Sequence, residues 1–173
     1  MCAAALRLAD LNAMSEAEFA AALGGVFEHS PWIAERASAR RPFADAGALH
    51  RAMVETVRAA SRAEQLALLR AHPELAGREA QAGTLTTHSS AEQKGAGLVD
   101  LSPEEKRHIA RLNAEYRARF GFPFIIAVRN YTRREIFAEL ERRVANDAAA
   151  ELAECLEQVF EIARLRLGGV IAD

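Results

Sequence analysis

Two residues of this sequence, His72 and Glu92, have side chains suited to proton transfer and stand in unusual settings. His72 precedes Pro73, and a residue before proline avoids the α region, so His72 is predicted to lie at the C-terminal end of a helix. Because the pKa of imidazole is near neutrality, His72 could act as a general acid or base. The local pattern alone favours a capping or surface histidine, and that interpretation stays open.

Glu92 belongs to the segment Ser89–Gln93, whose sequence SSAEQ has the form of a capping box. In such a box the glutamate is structural, because it binds the backbone amide of the cap residue. The segment follows the most irregular part of the chain, residues 77–88, which we predict to be a loop. A helix N-terminus with free amides is also a site for anions. The sequence leaves the structural and the functional interpretation of Glu92 open.

An apolar segment at residues 122–128, FPFIIAV, does not fit the helical pattern of the chain. It follows Gly121, a predicted helix C-cap, and Pro123 favours an extended conformation for the residue before it. An extended buried segment must find partners for its N–H and C=O groups. A ligand could supply those partners, and a short buried helix or a tight loop explains the segment equally well.

The histidines and cysteines do not form a metal site. The five histidines, which lack metal-ligand spacing, are His29, His50, His72, His88 and His108. Cys2 and Cys155 belong to no C-x-x-C pair, so neither zinc nor a disulfide is indicated. We therefore expect no metal, and unpaired thiols indicate a reducing compartment, the cytoplasm.

The charge pattern gives no reason to expect binding to nucleic acid or to a membrane. The formal net charge is −2, and no apolar run approaches the ~20 residues of a membrane span. One basic cluster is interleaved with glutamates, which predicts a solvated helix face with ion pairs. The arginines of this cluster are Arg133, Arg134, Arg142 and Arg143.

Helix-start motifs recur along the chain and indicate its architecture. The pattern S/T-x-x-E precedes apolar residues with helical spacing. The motif pairs are Ser15–Glu18, Ser61–Glu64, Ser102–Glu105 and Thr132–Glu135. The last apolar stripe is the longest and is predicted to end at Gly168-Gly169. These patterns predict an all-α fold, a single-domain bundle of about seven to eight helices over residues 1–173, with one short extended apolar segment.

Five sequence blocks occur in order and together carry a resemblance to a known family. They are FEHSPW at 27–32, RPF at 41–43, HPEL at 72–75, SSAEQKGAGL at 89–98 and FGFPFI at 120–125. With these blocks and the spacing between His72 and Glu92, the chain resembles the 2-oxo-4-hydroxy-4-carboxy-5-ureidoimidazoline (OHCU) decarboxylase family. The resemblance covers about residues 11–167.

The resemblance implies a role for each matched residue. It makes His72 the catalytic proton donor, and we expect Glu92 to be a second catalytic residue that orients His72 or the substrate. It places Ser89–Gln93 against the substrate at the N-terminus of their helix, and it has the backbone of Phe124–Val128 bind ureido and ring amides. The substrate-binding residues expected in this way are Pro73, Ser89, Ser90, Ala91, Glu92, Gln93, Phe124, Ile125, Ile126, Ala127, Val128 and Arg129.

The resemblance also implies a reaction. The family is all-α, works without metal or organic cofactor and commonly forms homodimers. Its substrate is a small ureido-imidazoline, OHCU, which is decarboxylated to (S)-allantoin in urate degradation. Two other interpretations remain: a hydrolase or isomerase of a related ureide, and a helical interaction module. Release of CO2 separates decarboxylation from both.

Overall fold

The computed structural model describes residues 5–172, which form a predominantly helical protein. The helices are α1 (Leu8–Ala13), α2 (Glu16–Leu23), α3 (Trp32–Ser38), α4 (Ala46–Ala59), α5 (Arg62–Arg70), α6 (Arg78–Ala82), α7 (Thr87–Gly95), α8 (Pro103–Phe120), α9 (Arg133–Arg143) and α10 (Ala148–Val170). Two short strands, β1 (Leu6–Arg7) and β2 (Ile171–Ala172), and a 3-10 turn, η1 (Val128–Asn130), complete the regular structure of these residues. The predicted all-α class is confirmed.

The predicted helix starts are stabilised by the expected capping boxes. The side chains of Ser15, Ser102 and Thr132 each accept a hydrogen bond from the third helical amide, and the glutamate there binds the cap amide in return. At α5 the Ser61 amide donates to the Glu64 carboxylate over 2.9 Å, and the Glu64 amide donates to the Ser61 hydroxyl over 3.3 Å. All four boxes are therefore confirmed.

The predicted loop at residues 77–88 and the predicted end of the last helix are both wrong. The predicted loop at residues 77–88 contains α6 and the start of α7. Because α6 buries no residue, no apolar periodicity marked it, and short helices of this kind raise the number within residues 5–172 from seven or eight to ten. Gly168 and Gly169 do not end α10, which continues to Val170. Neither glycine adopts the left-handed conformation that ends a helix.

The described chain divides into two compact units. Unit 1 comprises residues 5–68 and 160–172, and unit 2 comprises residues 69–159. In unit 1, α3 packs against α2 and α4, and β1 pairs with β2 in parallel, with Leu6 opposite Ile171. That residues 1–173 form a single domain stays a prediction.

Unit 1 has an apolar core that also contains a buried ion pair. The Asn12 side chain holds the backbone of Phe43, donating to its carbonyl over 2.9 Å and accepting from its amide over 2.8 Å. The Phe43 ring stacks on Phe19 with centroids 6.2 Å apart. Arg166 donates to the buried carboxylate of Glu28 over 2.8 Å. The FEHSPW and RPF blocks thus contribute to the packing of unit 1.

Unit 2 contains an aromatic cluster at the end of α8. The Tyr116 ring lies 4.6 Å from that of Phe120 and 5.5 Å from that of Phe124, between centroids. Gly121 ends α8 in the left-handed conformation with φ 77°, as predicted. The chain then enters residues 122–127, which are neither helix nor strand and are all buried.

The predicted solvated face of α9 is wrong for one residue, Arg143. Its side chain is completely buried, and Nη2 lies 2.6 Å from Oε1 of the equally buried Glu151. The neighbouring Arg142 is exposed and pairs with Glu139 at 2.7 Å. Arg143 follows the buried Leu140 by three positions, so helical periodicity places it on the buried face although its charge favours solvent.

The structure describes one of the two cysteines, Cys155. Cys155 is a free, buried thiol on α10, whereas Cys2 lies outside the described residues. Burial raises the pKa of the Cys155 thiol to about 11, so this thiol is protonated at neutral pH. Within residues 5–172, no helix has both the length and the apolar character to cross a membrane.

Candidate active site

His72 lies in the turn that follows α5, where the sequence predicted the end of a helix. The helix ends at Arg70, and the His72 amide still donates to the Leu69 carbonyl over 3.2 Å. His72 is only 7% exposed, and Pro73 is partly buried. The imidazole is therefore surrounded by protein, which excludes the interpretation of His72 as a surface residue.

The predicted capping box at Ser89 and Glu92 is wrong. Helix α7 begins one turn earlier, and the hydroxyl of its N-cap, Thr86, accepts a hydrogen bond from the Ser89 amide over 3.3 Å. The Ser90 amide donates to the Thr86 carbonyl over 2.8 Å. Thr86 and Ser89 are both capping residue types, and the earlier start gives the longer helix. Glu92 therefore lies inside α7 and closes no cap.

Ser89, Glu92 and Gln93 share one face of α7. Residues three and four positions apart are neighbours on a helix surface. Ser89 and Gln93 are buried and Glu92 is partly buried, whereas Ser90 and Ala91 are exposed. Of the five residues expected to contact substrate here, three are buried or partly buried and two are exposed to solvent.

Gln93 connects α7 to the turn that carries His72. Its Oε1 accepts a hydrogen bond from the Ala76 amide over 2.9 Å, and its Nε2 donates to the Glu74 carbonyl over 3.5 Å. Gln93 is 3% exposed. The side-chain amide that we expected to bind substrate therefore also fixes the backbone just after His72 and Pro73.

Helix α8 holds the same turn. Asn113 donates from Nδ2 to the Leu75 carbonyl over 3.0 Å, and Arg117 donates from Nε to Oε1 of Glu74 over 2.7 Å. The turn that carries His72 is thus anchored at three successive residues, 74–76, by side chains of α7 and α8. This anchoring limits the movement of His72 relative to both helices.

The extended segment Phe124–Val128 receives part of its hydrogen bonds from side chains. The Ile125 carbonyl accepts from Nη1 of Arg143 over 2.8 Å, and the Ala127 amide donates to Oε1 of Gln158 over 2.9 Å. The Ala127 carbonyl accepts the first hydrogen bond of η1. The segment is therefore an extended chain that ends in a 3-10 turn, and no helix forms before Val128.

Ile126 lies between these two side-chain anchors. It is 3% exposed, and within residues 5–172 its backbone N–H and C=O make no hydrogen bond. Buried backbone groups nearly always have partners. A bound molecule with one acceptor and one donor would satisfy both groups of Ile126.

Helix α7 brings the expected site residues into one neighbourhood. It packs against η1, which follows directly from the extended segment, and it holds the His72 turn through Gln93. Arg129, within η1, is exposed. The structure thus joins the turn of His72, the buried face of α7 and the end of the segment within unit 2.

The chemistry that these residues offer is proton transfer and hydrogen bonding. An imidazole, a carboxylate, a hydroxyl and backbone amides could bind and protonate a small polar molecule. In the part of the chain that the structure describes, no group of three or more His, Cys, Asp or Glu residues could hold a metal ion.

Three supporting side chains of this region were missed by the sequence reasoning: Gln93 as a contact of the His72 turn, Arg143 and Gln158. A signal existed for Arg143, because it continues the apolar stripe of α9. No local signal could have shown that Gln93 and Gln158 bind backbone groups 17 and 31 residues away.

Comparison with known sequences identifies a family over nearly the whole chain. The sequence profile described as OHCU decarboxylase matches residues 12–168. The 2-oxo-4-hydroxy-4-carboxy-5-ureidoimidazoline decarboxylase of Haloferax volcanii is 44% identical over 162 residues, covering 94% of this chain and 94% of that protein.

Other relatives are longer than this chain. The uric acid degradation bifunctional protein of Bacillus sp. strain TB-90 is 44% identical over 171 residues, which cover 97% of this chain and 33% of that protein. The protein in a crystal structure of (S)-allantoin synthase is 34% identical in sequence to this chain, and the two structures match with a TM-score of 0.74. The match covers 96% of this chain and 54% of the other. The chain therefore spans about a third of one relative and about half of the other. The profile match and the identity to the Haloferax volcanii protein show that this chain belongs to the OHCU decarboxylase family.

Proposed function

We propose that this protein decarboxylates OHCU to (S)-allantoin and CO2 in urate degradation. Family membership supports the reaction class, and the names of the Haloferax volcanii and allantoin synthase relatives support the substrate and the product. The observation that carries the proposal is the position of α7, which holds the turn of His72 through Gln93 and packs against the turn that ends Phe124–Val128.

The substrate explains why the proposed reaction needs no cofactor. In OHCU the carboxylate is attached to a ring carbon that also carries a hydroxyl and lies next to an imine carbon. When the bond to CO2 breaks, its electron pair forms a double bond to the neighbouring carbon, and the imine nitrogen takes up a proton. The substrate therefore supplies the electron sink that cofactors provide elsewhere. The protein must fix the carboxylate out of the ring plane.

His72 and Glu92 are the residues to which we assign proton transfer. His72 accepts the proton of the hydroxyl, which becomes the ring carbonyl, and then delivers a proton to one face of the adjacent carbon. Glu92, partly buried on the inner face of α7, orients His72 or the substrate. Delivery to one face sets the handedness of allantoin, because the intermediate can also be protonated in water without selectivity.

The remaining groups recognise the substrate in this proposal. Ser89 and Gln93, both buried on the same face as Glu92, contribute polar side chains, and Pro73 provides an apolar wall beside His72. In Phe124–Val128, the free N–H and C=O of Ile126 are the groups best placed to bind the urea. The exposed Ser90, Ala91 and Arg129 contribute through the backbone or at the entrance.

We further infer that the active protein is a cytoplasmic homodimer without cofactor. The homodimer is what family resemblance implies, and analytical ultracentrifugation tests it. The free thiol of Cys155 supports a reducing compartment, and cell fractionation tests the cytoplasmic location.

One experiment tests the main proposal. OHCU is generated freshly from urate, the purified protein is added, and two signals are followed: released CO2 and the circular dichroism of allantoin. We expect protein-dependent CO2 release and accumulation of (S)-allantoin. Consumption of a ureide without CO2 release indicates a hydrolase or isomerase, and no effect on any ureide indicates an interaction module. Exhaustive chelation with EDTA should leave the rate unchanged, and a loss that one divalent ion restores contradicts the cofactor-free reaction.

A further inference from the structure

We propose that Arg143 is a positioning residue. By binding the Ile125 carbonyl, Arg143 sets the orientation of the backbone that recognises the substrate. The inference rests on the proposed function, because it concerns the use of Phe124–Val128 in recognition. Arg143 itself touches no substrate in this proposal. It acts through the backbone orientation of the segment and above all of Ile126.

The contacts of the guanidinium fix it relative to the segment. Nη1 of Arg143 donates to the Ile125 carbonyl over 2.8 Å, and Cζ lies 4.5 Å from the centroid of the Phe124 ring. On the other side, Nε and Nη2 lie 2.7 Å and 2.6 Å from Oε1 of Glu151. Nη2 also lies 3.2 Å from Sγ of Cys155. One planar group therefore holds both the side chain and the carbonyl of adjacent segment residues.

A second anchor lies on the other side of Ile126. The Ala127 amide donates to Oε1 of Gln158, and Nε2 of Gln158 donates to Glu154 over 3.0 Å, which fixes the orientation of the amide. The carbonyl before Ile126 and the amide after it are thus held by side chains of α9 and α10. Between these anchors, the N–H and C=O of Ile126 have fixed directions.

Stability alone does not account for a charged pair at this position. Arg143 and Glu151 are both 0% exposed, and replacing a buried ion pair by apolar residues of similar volume is often neutral or stabilising. What an apolar pair cannot supply is a donor to the Ile125 carbonyl. Lysine keeps the charge but lacks the rigid fork that reaches Glu151 and the carbonyl together. The arrangement therefore favours a role in orienting the segment.

The cluster contains a matched control for this role. Tyr116 donates to Oε1 of Glu151 over 2.5 Å and lies 3.2 Å from Sγ of Cys155. It is as buried as Arg143, but it makes no hydrogen bond to the segment Phe124–Val128 among the described residues. Tyr116→Phe thus disturbs the same polar cluster and leaves the anchor on Ile125 in place.

The test compares Arg143→Lys, Gln158→Ala and Tyr116→Phe with wild type. For each folded variant, kcat and KM for OHCU and the affinity for (S)-allantoin are measured. We expect Arg143→Lys and Gln158→Ala to raise KM and weaken allantoin binding by roughly tenfold or more. Their kcat should change far less, because binding common to ground state and transition state is lost. Tyr116→Phe should leave KM within about twofold of wild type.

Several outcomes overturn the positioning role. A folded Arg143→Lys variant with unchanged KM and allantoin affinity does so, and so does an equal rise of KM in Tyr116→Phe, which indicates general loosening of the cluster. If Arg143→Lys does not fold, Gln158→Ala decides, and an unchanged KM in that variant overturns the proposal. A wild-type protein that releases no CO2 contradicts the proposed function instead, so the two failures are distinguishable.

Discussion

The side-chain oxygen of Gln93 lies 2.9 Å from the backbone nitrogen of Ala76 and accepts its hydrogen bond. This contact couples α7, which carries Glu92, to the turn that carries His72. The elements that carry the two proposed catalytic residues are therefore joined by the side chain of Gln93, which also donates to the Glu74 carbonyl over 3.5 Å. A movement of α7 has to move the His72 turn or break these bonds.

Gln93→Ala should lower both stability and activity. It leaves the partly buried Ala76 amide without its acceptor, at a cost of about 1 kcal/mol, and it frees the turn after His72. Urea unfolding and the rate of CO2 release measure the two effects. Gln81→Ala is the control, because Gln81 donates to the Ala76 carbonyl from an exposed position. Equal activities of the two variants would contradict the coupling role of Gln93.

His72→Asn should leave the fold intact and abolish enzyme-dependent formation of one allantoin enantiomer. Asparagine keeps a polar side chain of similar size but cannot transfer a proton near neutral pH. Circular dichroism of the product measures the effect. His108→Asn is the control, since His108 is partly exposed and pairs with Glu141 at 2.7 Å. A single enantiomer formed at nearly the wild-type rate by His72→Asn would remove His72 from the mechanism.

Glu92→Gln should reduce kcat by a factor on the order of 10² or more if its charge orients His72 or the substrate. Because Thr86 caps α7, the substitution disturbs no cap. Glu64→Gln is the control: it alters a capping box and the pair between Glu64 and Arg36 at 2.5 Å, both partly exposed, and should leave kcat unchanged. Small effects on kcat in both variants would assign Glu92 a structural role.

The stability of the wild-type protein should fall above pH 9, in part through Cys155. Burial raises the pKa of this thiol from 9.0 to about 11, so the folded state favours the protonated form. The stabilisation is present below the unfolded pKa and is lost as pH rises through about 11, by an amount on the order of 2 kcal/mol. Urea unfolding of Cys155→Ala between pH 8 and 11 should show a smaller loss. Burial also raises the pKa of Tyr116, so the stability of the variant still falls with pH in part. If its stability falls as much as that of the wild type, Cys155 makes no contribution.

Gly168→Ala should stabilise the protein by roughly 0.5–1 kcal/mol. Gly168 lies within α10, and no atom lies within 4 Å of a Cβ placed there, so alanine gains helix propensity without a clash. Gly121→Ala should destabilise the protein instead, because Gly121 has φ 77° and alanine is strained there by about 1 kcal/mol. Thermal unfolding measures both, and a lower melting temperature for Gly168→Ala would show that the end of α10 needs glycine.

Local patterns predicted the parts of this fold in which neighbours in sequence decide the structure. The capping box at Ser102 and Glu105 spans the first turn of α8, so its hydrogen bonds depend only on four consecutive residues. The box proposed at Ser89 failed because Thr86 competes for the same helix start, and local chemistry alone does not rank two capping hydroxyls.

The site required contacts that no local pattern contains. Arg143 has the charge of a surface residue, and its burial is tolerable because Glu151 and the Ile125 carbonyl bind the guanidinium. Likewise, the blocks around His72 and Glu92 indicated chemistry through family resemblance, whereas the link between them depends on the packing of α7. The sequence therefore predicted which residues form the candidate site better than it predicted the contacts that position them.

The parallel pairing of β1 with β2 has a consequence for the chain as a polymer. Residues 6–7 and 171–172 lie side by side in unit 1 and run in the same direction. A connection from Ala172 to Leu6 therefore has to reverse its course, and it needs roughly a dozen residues. Such a cyclised backbone would lose much of the conformational freedom of the unfolded chain, while the folded chain already holds these residues together. The fold then does not depend on the order of the helices along the chain. A circularly permuted protein with its new termini in an exposed turn should adopt the same fold.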